Sequence, residues 1–358
     1  MPASLKVIQC GTGIAGKEAL GAILERADLE LAGLLVHSQA NAGKDAGRFV
    51  GAPDTGVIAT RDVASLVAMP ADIVLYMLLV PDLDDICAFL ASGKNVITTA
   101  GYMFPCWNNP AADAKLKAAC AAGNSSFFVS GVNPGFVDEI LPLTLSMLSR
   151  DWETVTITEY ADCSTYPSPP MLFDVMGFAR TPEDITAGRV ADMTVMTDFF
   201  AASVASLAHG LGLKLDEVRQ SREFVTAREG FDIDAGRIEQ GTIAGQRWRW
   251  AGMIDGVERI VQQTYWIVAF DLGEGWPASG EMEGDVRWTV TIEGNPALRC
   301  AFETRPTFAA GAATRGANTS GTATAMAAVN SLRPVVDAPA GLLTAIDMPQ
   351  PRWRGSHR

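Results

Sequence analysis

LKVIQCGTGIAGKEAL, residues 5–20, carries the strongest structural signal in the chain. A short apolar run from Leu5 to Cys10 ends in Gly11-Thr12-Gly13-Ile14-Ala15-Gly16, and an Ala/Leu-rich segment follows. This is G-x-G-x-x-G between a predicted strand and a predicted helix. Gly11 permits the tight turn off the strand. Gly13 lets the backbone approach a pyrophosphate with no Cβ in the way, and Gly16 lets the helix pack closely on the sheet. The helix then offers unpaired N–H groups and the positive end of its dipole to phosphate. A glycine-rich turn without a ligand is the competing reading, and the flanking strand and helix weigh against it.

The same grammar repeats along the chain. Leu29 to Val36 reads as the second strand, Gly56 to Ala59 as a short third, and Asp62 to Ala68 as a short helix. Ile73–Leu78 is a continuous apolar run of the kind buried on both faces of a parallel sheet. A helix over Leu83–Ser92 ends at Gly93, a strand spans Lys94–Thr99, and a helix over Pro110–Ala122 stops at Gly123. Phe127–Val129 is the sixth strand. Strand and helix alternating through short connections predict an α/β doubly wound parallel sheet, the Rossmann arrangement, over residues 1–150.

The end of the second strand selects the dinucleotide. A carboxylate there would bind the ribose hydroxyls of NAD. The chain instead gives His37-Ser38-Gln39-Ala40-Asn41, then Lys44, with no carboxylate before Asp45. Hydroxyl, amide and lysine suit a 2′-phosphate, so NADP is favoured and NAD stays possible. In the alternative, Lys44 and Arg48 are solvated surface charges. Ligands of such sheets bind outside the carboxyl ends of the strands. That brings the glycine loop together with Thr99-Ala100-Gly101-Tyr102 and with Gly131-Val132-Asn133-Pro134-Gly135. Pro134 suits a first helical turn, and Asn133 either caps that helix or touches the nicotinamide.

Bulk properties exclude several classes. The 358 residues exceed the roughly 250–300 at which single cores stop growing, which predicts two domains. A net charge of −13 argues against general nucleic-acid binding. Six cysteines without C-x-x-C spacing read as reduced thiols, and no Cys/His cluster suggests a metal. The longest apolar run, Ile73–Val80, is too short for a membrane span, and no signal peptide precedes it, so a cytoplasmic protein is expected.

From about Asp151 the pattern changes. Thr154–Tyr160 alternates as a strand, a proline-rich loop follows, and a helical stretch runs from Asp192 to His209. Long strands without intervening helices come next, over 219–226, 241–253, 258–270, 286–293 and 297–303. They predict an α+β second domain, residues 151–317, with an antiparallel or mixed sheet. Residues 318–358 are expected to return to the first domain, beginning with a helix over Asn318–Asn330.

GTGIAG, GKNVITTAGYMFP, GVNPGFVDEILPLTLS and TATAMAAVNSLRPVVDAPAGL together resemble the dihydrodipicolinate-reductase-like family, in the branch of 2,4-diaminopentanoate dehydrogenase and the native amine dehydrogenases. The resemblance implies a substrate domain whose sheet also forms a homodimer, NADP(H), and oxidative deamination of an amine or reductive amination of a ketone. It also implies a glutamate just after the Thr-Thr pair, which holds ammonia. Here that segment reads Ala100-Gly101-Tyr102-Met103. Either another acid serves, or the chemistry is ketone or imine reduction without ammonia, with Tyr102 donating the proton. A non-catalytic dinucleotide sensor is the alternative from another class.

Candidate acids are Glu159, Asp162 and Glu139, the last with a solvent-facing alternative. Tyr160 and Tyr166 are candidate substrate contacts beside them. Alternation sends Glu159 and Tyr160 to opposite faces of their strand. Met103, Phe104, Trp107, Phe136, Met171 and Phe173 would suit a hydrophobic amine, ketone or imine.

Overall fold

Strand β1 (Leu5–Cys10) is buried at every position except Lys6, as a strand covered on both faces must be. The structure, a computed structural model, describes residues 4–107, 109–188, 194–306 and 319–349, with the backbone alone at 194–198. Around β1 lie α1 (Ile14–Glu25), β2 (Leu29–Leu35), α2 (Val63–Ala68), β3 (Ile73–Tyr76), α3 (Leu83–Ala91), β4 (Asn95–Thr98), α4 (Pro110–Gly123) and β5 (Ser126–Val129). Caps set the helix starts. The Asp82 carboxylate accepts from the Asp84 and Asp85 N–H groups at α3, and the Asn109 side chain accepts from Ala112 N–H at α4.

The next run comprises α5 (Leu141–Ser146), β6 (Asp151–Asp162), α6 (Pro182–Thr186), α7 (Thr194–Gly210), β7 (Glu217–Thr226), β8 (Phe231–Ile233) and β9 (Gly236–Ile238). It continues with β10 (Ile243–Ile254), β11 (Val257–Ile267), β12 (Val286–Asn295) and β13 (Leu298–Glu303). The chain then forms α8 (Thr319–Asp337) and β14 (Gly341–Leu343). Two units result, Met1–Glu139 with Gly321–Arg358, and Ile140–Ser320. The start expected at Asp192 for the helix ending near His209 lies outside the described residues.

The first unit is a parallel sheet in the order β14-β5-β4-β3-β1-β2. The order reverses beside β1, so the carboxyl ends of β1 and β3 flank the crevice. α8 places Ala325, Ala328, Val329, Leu332 and Val335 along one face, all buried in the core with Val7, Ile73 and Leu75. Each large aliphatic side chain so buried contributes about 1.5–3 kcal/mol.

Three local expectations are corrected. The third strand expected at Gly56–Ala59 is reduced to isolated bridges, Thr60 with Leu35 and Ile58 with Asp45. Residues 45–56 instead fold around the Asp45 carboxylate, which accepts from the N–H groups of Gly47, Thr55 and Gly56. Gly123 does not turn the chain out of α4. Asn124 takes the left-handed φ of 49°, and Gly123 stays helical, its missing side chain admitting the Leu90 carbonyl with which a Cβ would collide. No helix starts at Pro134. Asn133 and Pro134 are extended and Gly135 has φ 130°, a conformation that favours glycine, so helical residues begin after it.

The second unit holds a mixed sheet in the order β13-β12-β6-β11-β10-β7, with only β6 and β11 parallel. Asp255-Gly256, both with positive φ, make the two-residue turn between β10 and β11. α7 covers one face of the sheet, where Phe200 stacks on Trp250 at 4.5 Å.

Candidate active site

The glycine loop meets each requirement of its motif. Gly11 has φ 97°, and a Cβ there would lie 2.7 Å from the Met77 carbonyl oxygen. At Gly16 a Cβ would meet the Gly11 carbonyl oxygen at 2.5 Å. At Gly13 a Cβ would meet nothing within 4 Å, so this glycine leaves open space in front of the backbone. α1 starts at Gly13 with no side-chain cap and no acidic residue in its first turn, so its N–H groups and dipole remain available to an anion. Ile14, Leu79 and Val80 are exposed at this edge. Open space, an uncapped helix and exposed apolar side chains at the carboxyl ends of β1 and β3 fit a nicotinamide dinucleotide.

At the end of β2, His37 and Ser38 are exposed. The Lys44 ammonium donates to the Asn41 side chain at 3.1 Å. Asp45, the first carboxylate after the strand, is engaged by its own loop, and those backbone N–H groups hold its carboxyl below the usual carboxylate range. Val36 and His37 line a hollow together with Arg61, Leu78 and Asp85. Arg61 and Asp85 had no signal in the strand-end reading, because both are brought there by tertiary structure.

After β4, the Thr98 hydroxyl donates to the Ala100 carbonyl, which fixes the turn through Thr99 and Ala100. Gly101 and Tyr102 follow with φ 68° and 55°. A positive φ is uncommon for a bulky residue and stores strain, a pattern that clusters at functional sites. Burial, and secondarily Asp82, raises the Tyr102 phenol above its ordinary value, so the hydroxyl keeps its proton through the neutral range. It lies 3.5 Å from the Pro81 carbonyl.

In the second unit, Glu159 and Tyr160 take opposite faces of β6, as alternation requires. Glu159 faces Trp288 across β12 and Thr264 across β11. Its two carboxylate oxygens are gripped separately. Trp266 Nε1 donates to Oε1 at 2.9 Å, and Trp288 Nε1 donates to Oε2 at 2.8 Å. Indole N–H groups only donate, so together they hold the carboxylate by both oxygens and fix its orientation. Thr264 and Gln262, on the same face, are buried with side-chain polar atoms that meet no hydrogen-bond partner among the described residues. On the other face Tyr160 stacks on Tyr265 at 5.2 Å, with the Arg287 guanidinium over its ring.

Asp162 is buried and shapes a turn, accepting from Ser164 N–H at 3.0 Å. Tyr166 lies in the following loop, 38% exposed. Glu139 does not face solvent. It is 2% exposed and accepts from the Ala345 N–H, which ties the end of the first run to the C-terminal segment. The first unit therefore collects Gly11–Gly16, His37, Ser38, Lys44, Thr99, Ala100, Tyr102, Asn133 and Pro134, and the second holds Glu159, Tyr160, Asp162 and Tyr166. Among the described residues no group of three metal-binding side chains occurs.

A doubly wound unit with an intact dinucleotide loop, followed by a unit built on a mixed sheet, defines an oxidoreductase that uses a nicotinamide dinucleotide. Residues 136–356 match the 2,4-diaminopentanoate dehydrogenase C-terminal domain family, and the chain belongs to that family. An amine dehydrogenase of Streptomyces virginiae is 30% identical over 96% of both chains. The amine dehydrogenase structure from Mycobacterium smegmatis superposes with a TM-score of 0.79 at 19% identity, over 99% of this chain and 98% of that one. Scyllo-inositol dehydrogenase from Lactobacillus casei shares the fold more distantly, with a TM-score of 0.52 at 12% identity over 92% and 88%. This chain is an amine dehydrogenase-like oxidoreductase. No helix of the described residues is long and apolar enough to cross a membrane.

Proposed function

We propose that the protein is an NADP(H)-dependent amine dehydrogenase that interconverts a hydrophobic amine with its ketone and ammonia, acting as a cytoplasmic homodimer. The loop Gly11-Thr12-Gly13-Ile14-Ala15-Gly16 holds the pyrophosphate. His37, Ser38 and Lys44 face the adenosine end, and Thr99, Ala100, Asn133 and Pro134 face the nicotinamide end. When bound, the dinucleotide supplies or accepts the hydride.

Glu159 is the observation that carries this reading. The segment after β4 lacks the acid expected there, and Glu159 is a carboxylate preoriented by two indole donors. It holds ammonia or the substrate amine, and it takes and returns the proton at that nitrogen. Tyr160, Asp162 and Tyr166 shape the surrounding strand end and loop.

Oxidation of NADPH with a panel of hydrophobic ketones, each with and without ammonium, tests the proposal. Turnover that requires ammonium is expected. Turnover indifferent to ammonium would favour a second reading, carbonyl reduction with Tyr102 as proton donor, which its protonated phenol and position after β4 favour. Tyr102→Phe would then abolish the rate. NADPH binding without any turnover would leave the sensor.

A further inference from the structure

We propose that Arg61 is the residue that recognises the 2′-phosphate of the dinucleotide, and that it does so from the wall of an adenosine hollow. This inference deepens the NADP reading above and rests on it. Arg61 directly follows Thr60, whose bridge to Leu35 fixes the segment alongside the end of β2. That bridge carries the side chain into the hollow lined by Val36, His37, Leu78 and Asp85.

The placement is supported from one side. Arg61 Nη1 donates to the Gln39 side-chain oxygen at 2.8 Å, which lays the guanidinium across the chain just after His37 and Ser38. Among the described residues Arg61 makes this one polar side-chain contact, so one of five donors is committed and the rest of the fork is available to a bidentate phosphate contact.

The carboxylates nearby do not oppose a phosphate there. Asp62, the next residue, is turned onto α2, where it accepts from Ser65 N–H. Asp45 is engaged by its own loop. Asp85 shares the hollow, and its carboxyl is raised by burial first and by Asp82 second, so it carries its charge less readily than an ordinary aspartate. It also accepts from the Tyr76 hydroxyl at 3.4 Å. A carboxyl in that place can accept from the exocyclic amine of adenine, while Leu78 and Val36 supply apolar walls for the ring. The ligand class is therefore an adenosine phosphorylated at its 2′ position.

Calorimetric titration of the apo protein with 2′,5′-ADP and with 5′-AMP tests this without turnover. Wild type is expected to bind 2′,5′-ADP at least tenfold more tightly. Arg61→Ala is expected to lose ten- to hundredfold for 2′,5′-ADP while 5′-AMP stays within twofold. Arg61→Lys, which keeps the charge and loses the fork, is expected to fall between. If Arg61→Ala retains the wild-type preference, or loses both ligands equally, the role of Arg61 is overturned. If wild type itself does not distinguish the two ligands, the NADP reading fails and the Arg61 role falls with it. Because Arg61 is exposed, an unchanged thermal midpoint of the apo variant confirms that it folds.

Discussion

Gly13 and Gly16 are three residues apart in one loop, and the structure assigns them opposite consequences. At Gly13 the space for a Cβ is empty, and φ −70°, ψ −168° is open to any residue. Gly13→Val should therefore leave the apo fold within about 1 kcal/mol of wild type, the scale of a lost helix-cap preference. Its side chain occupies the space the phosphates need. An overpacking cost of about 1–3 kcal/mol falls entirely on binding, a roughly 5- to 150-fold loss of NADPH affinity.

At Gly16 a Cβ would sit 2.5 Å from the Gly11 carbonyl, an atom of backbone with nowhere to go. Gly16→Ala should pay the same about 1–3 kcal/mol in the apo protein, a fall in thermal midpoint of about 2–12 °C. Thermal unfolding of the apo variants and fluorescence titration with NADPH read the two effects separately. If Gly13→Val unfolds as early as Gly16→Ala, or binds NADPH like wild type, the assignment of the pyrophosphate to this loop is wrong.

Three further outcomes are expected. Trp288→Phe removes one donor from Glu159 and should lower kcat/KM for the amine by roughly 10- to 150-fold, the scale of about 1.5–3 kcal/mol for a hydrogen bond to a charged group; steady-state kinetics checks it, and an unchanged value would deny the indole an orienting role. Asp45→Asn should destabilise the protein at neutral pH. The folded carboxyl is held below its ordinary 3.8, so its stabilisation is present above that value and vanishes as pH falls through the lower, folded one. Unfolding midpoints of the two proteins should converge in acid, and a constant gap would show that the carboxylate charge is not what organises the loop. Leu332→Ala, on the buried face of α8, should cost about 2–5 kcal/mol by denaturant unfolding; a loss below 1 kcal/mol would mean that α8 is not integral to the core.

What the sequence made legible was local. The glycine spacing carried its own geometry, the apolar runs located the buried strands, and the period of two sent Glu159 and Tyr160 to opposite faces. Errors came where a nearby contact overrode a local preference. The third strand dissolved because Asp45 gathers the N–H groups of Gly47, Thr55 and Gly56 into a loop. The helix after Val132 started late because Gly135, not Pro134, makes the turn. Gly123 served close helix packing while Asn124 took the left-handed turn.

The site partners that sequence reasoning missed are non-local. Trp266 and Trp288 lie 107 and 129 residues beyond Glu159, and only strand pairing brings them to it. Arg61 lies well beyond the end of β2 and reaches it through a single bridge. No window of sequence around Glu159 or His37 contains these neighbours.

Nitrogen transfer at Glu159 is the step that most directly distinguishes amine dehydrogenation from carbonyl reduction. Wild type and Glu159→Gln would each be incubated with NADPH, a hydrophobic ketone and 15N-labelled ammonium, and the product analysed by mass spectrometry. Wild type is predicted to yield the 15N-labelled amine, and Glu159→Gln, folded and still binding NADPH, to yield less than a hundredth as much. Equal labelled amine from both proteins, or unlabelled alcohol as the sole product of wild type, would contradict it.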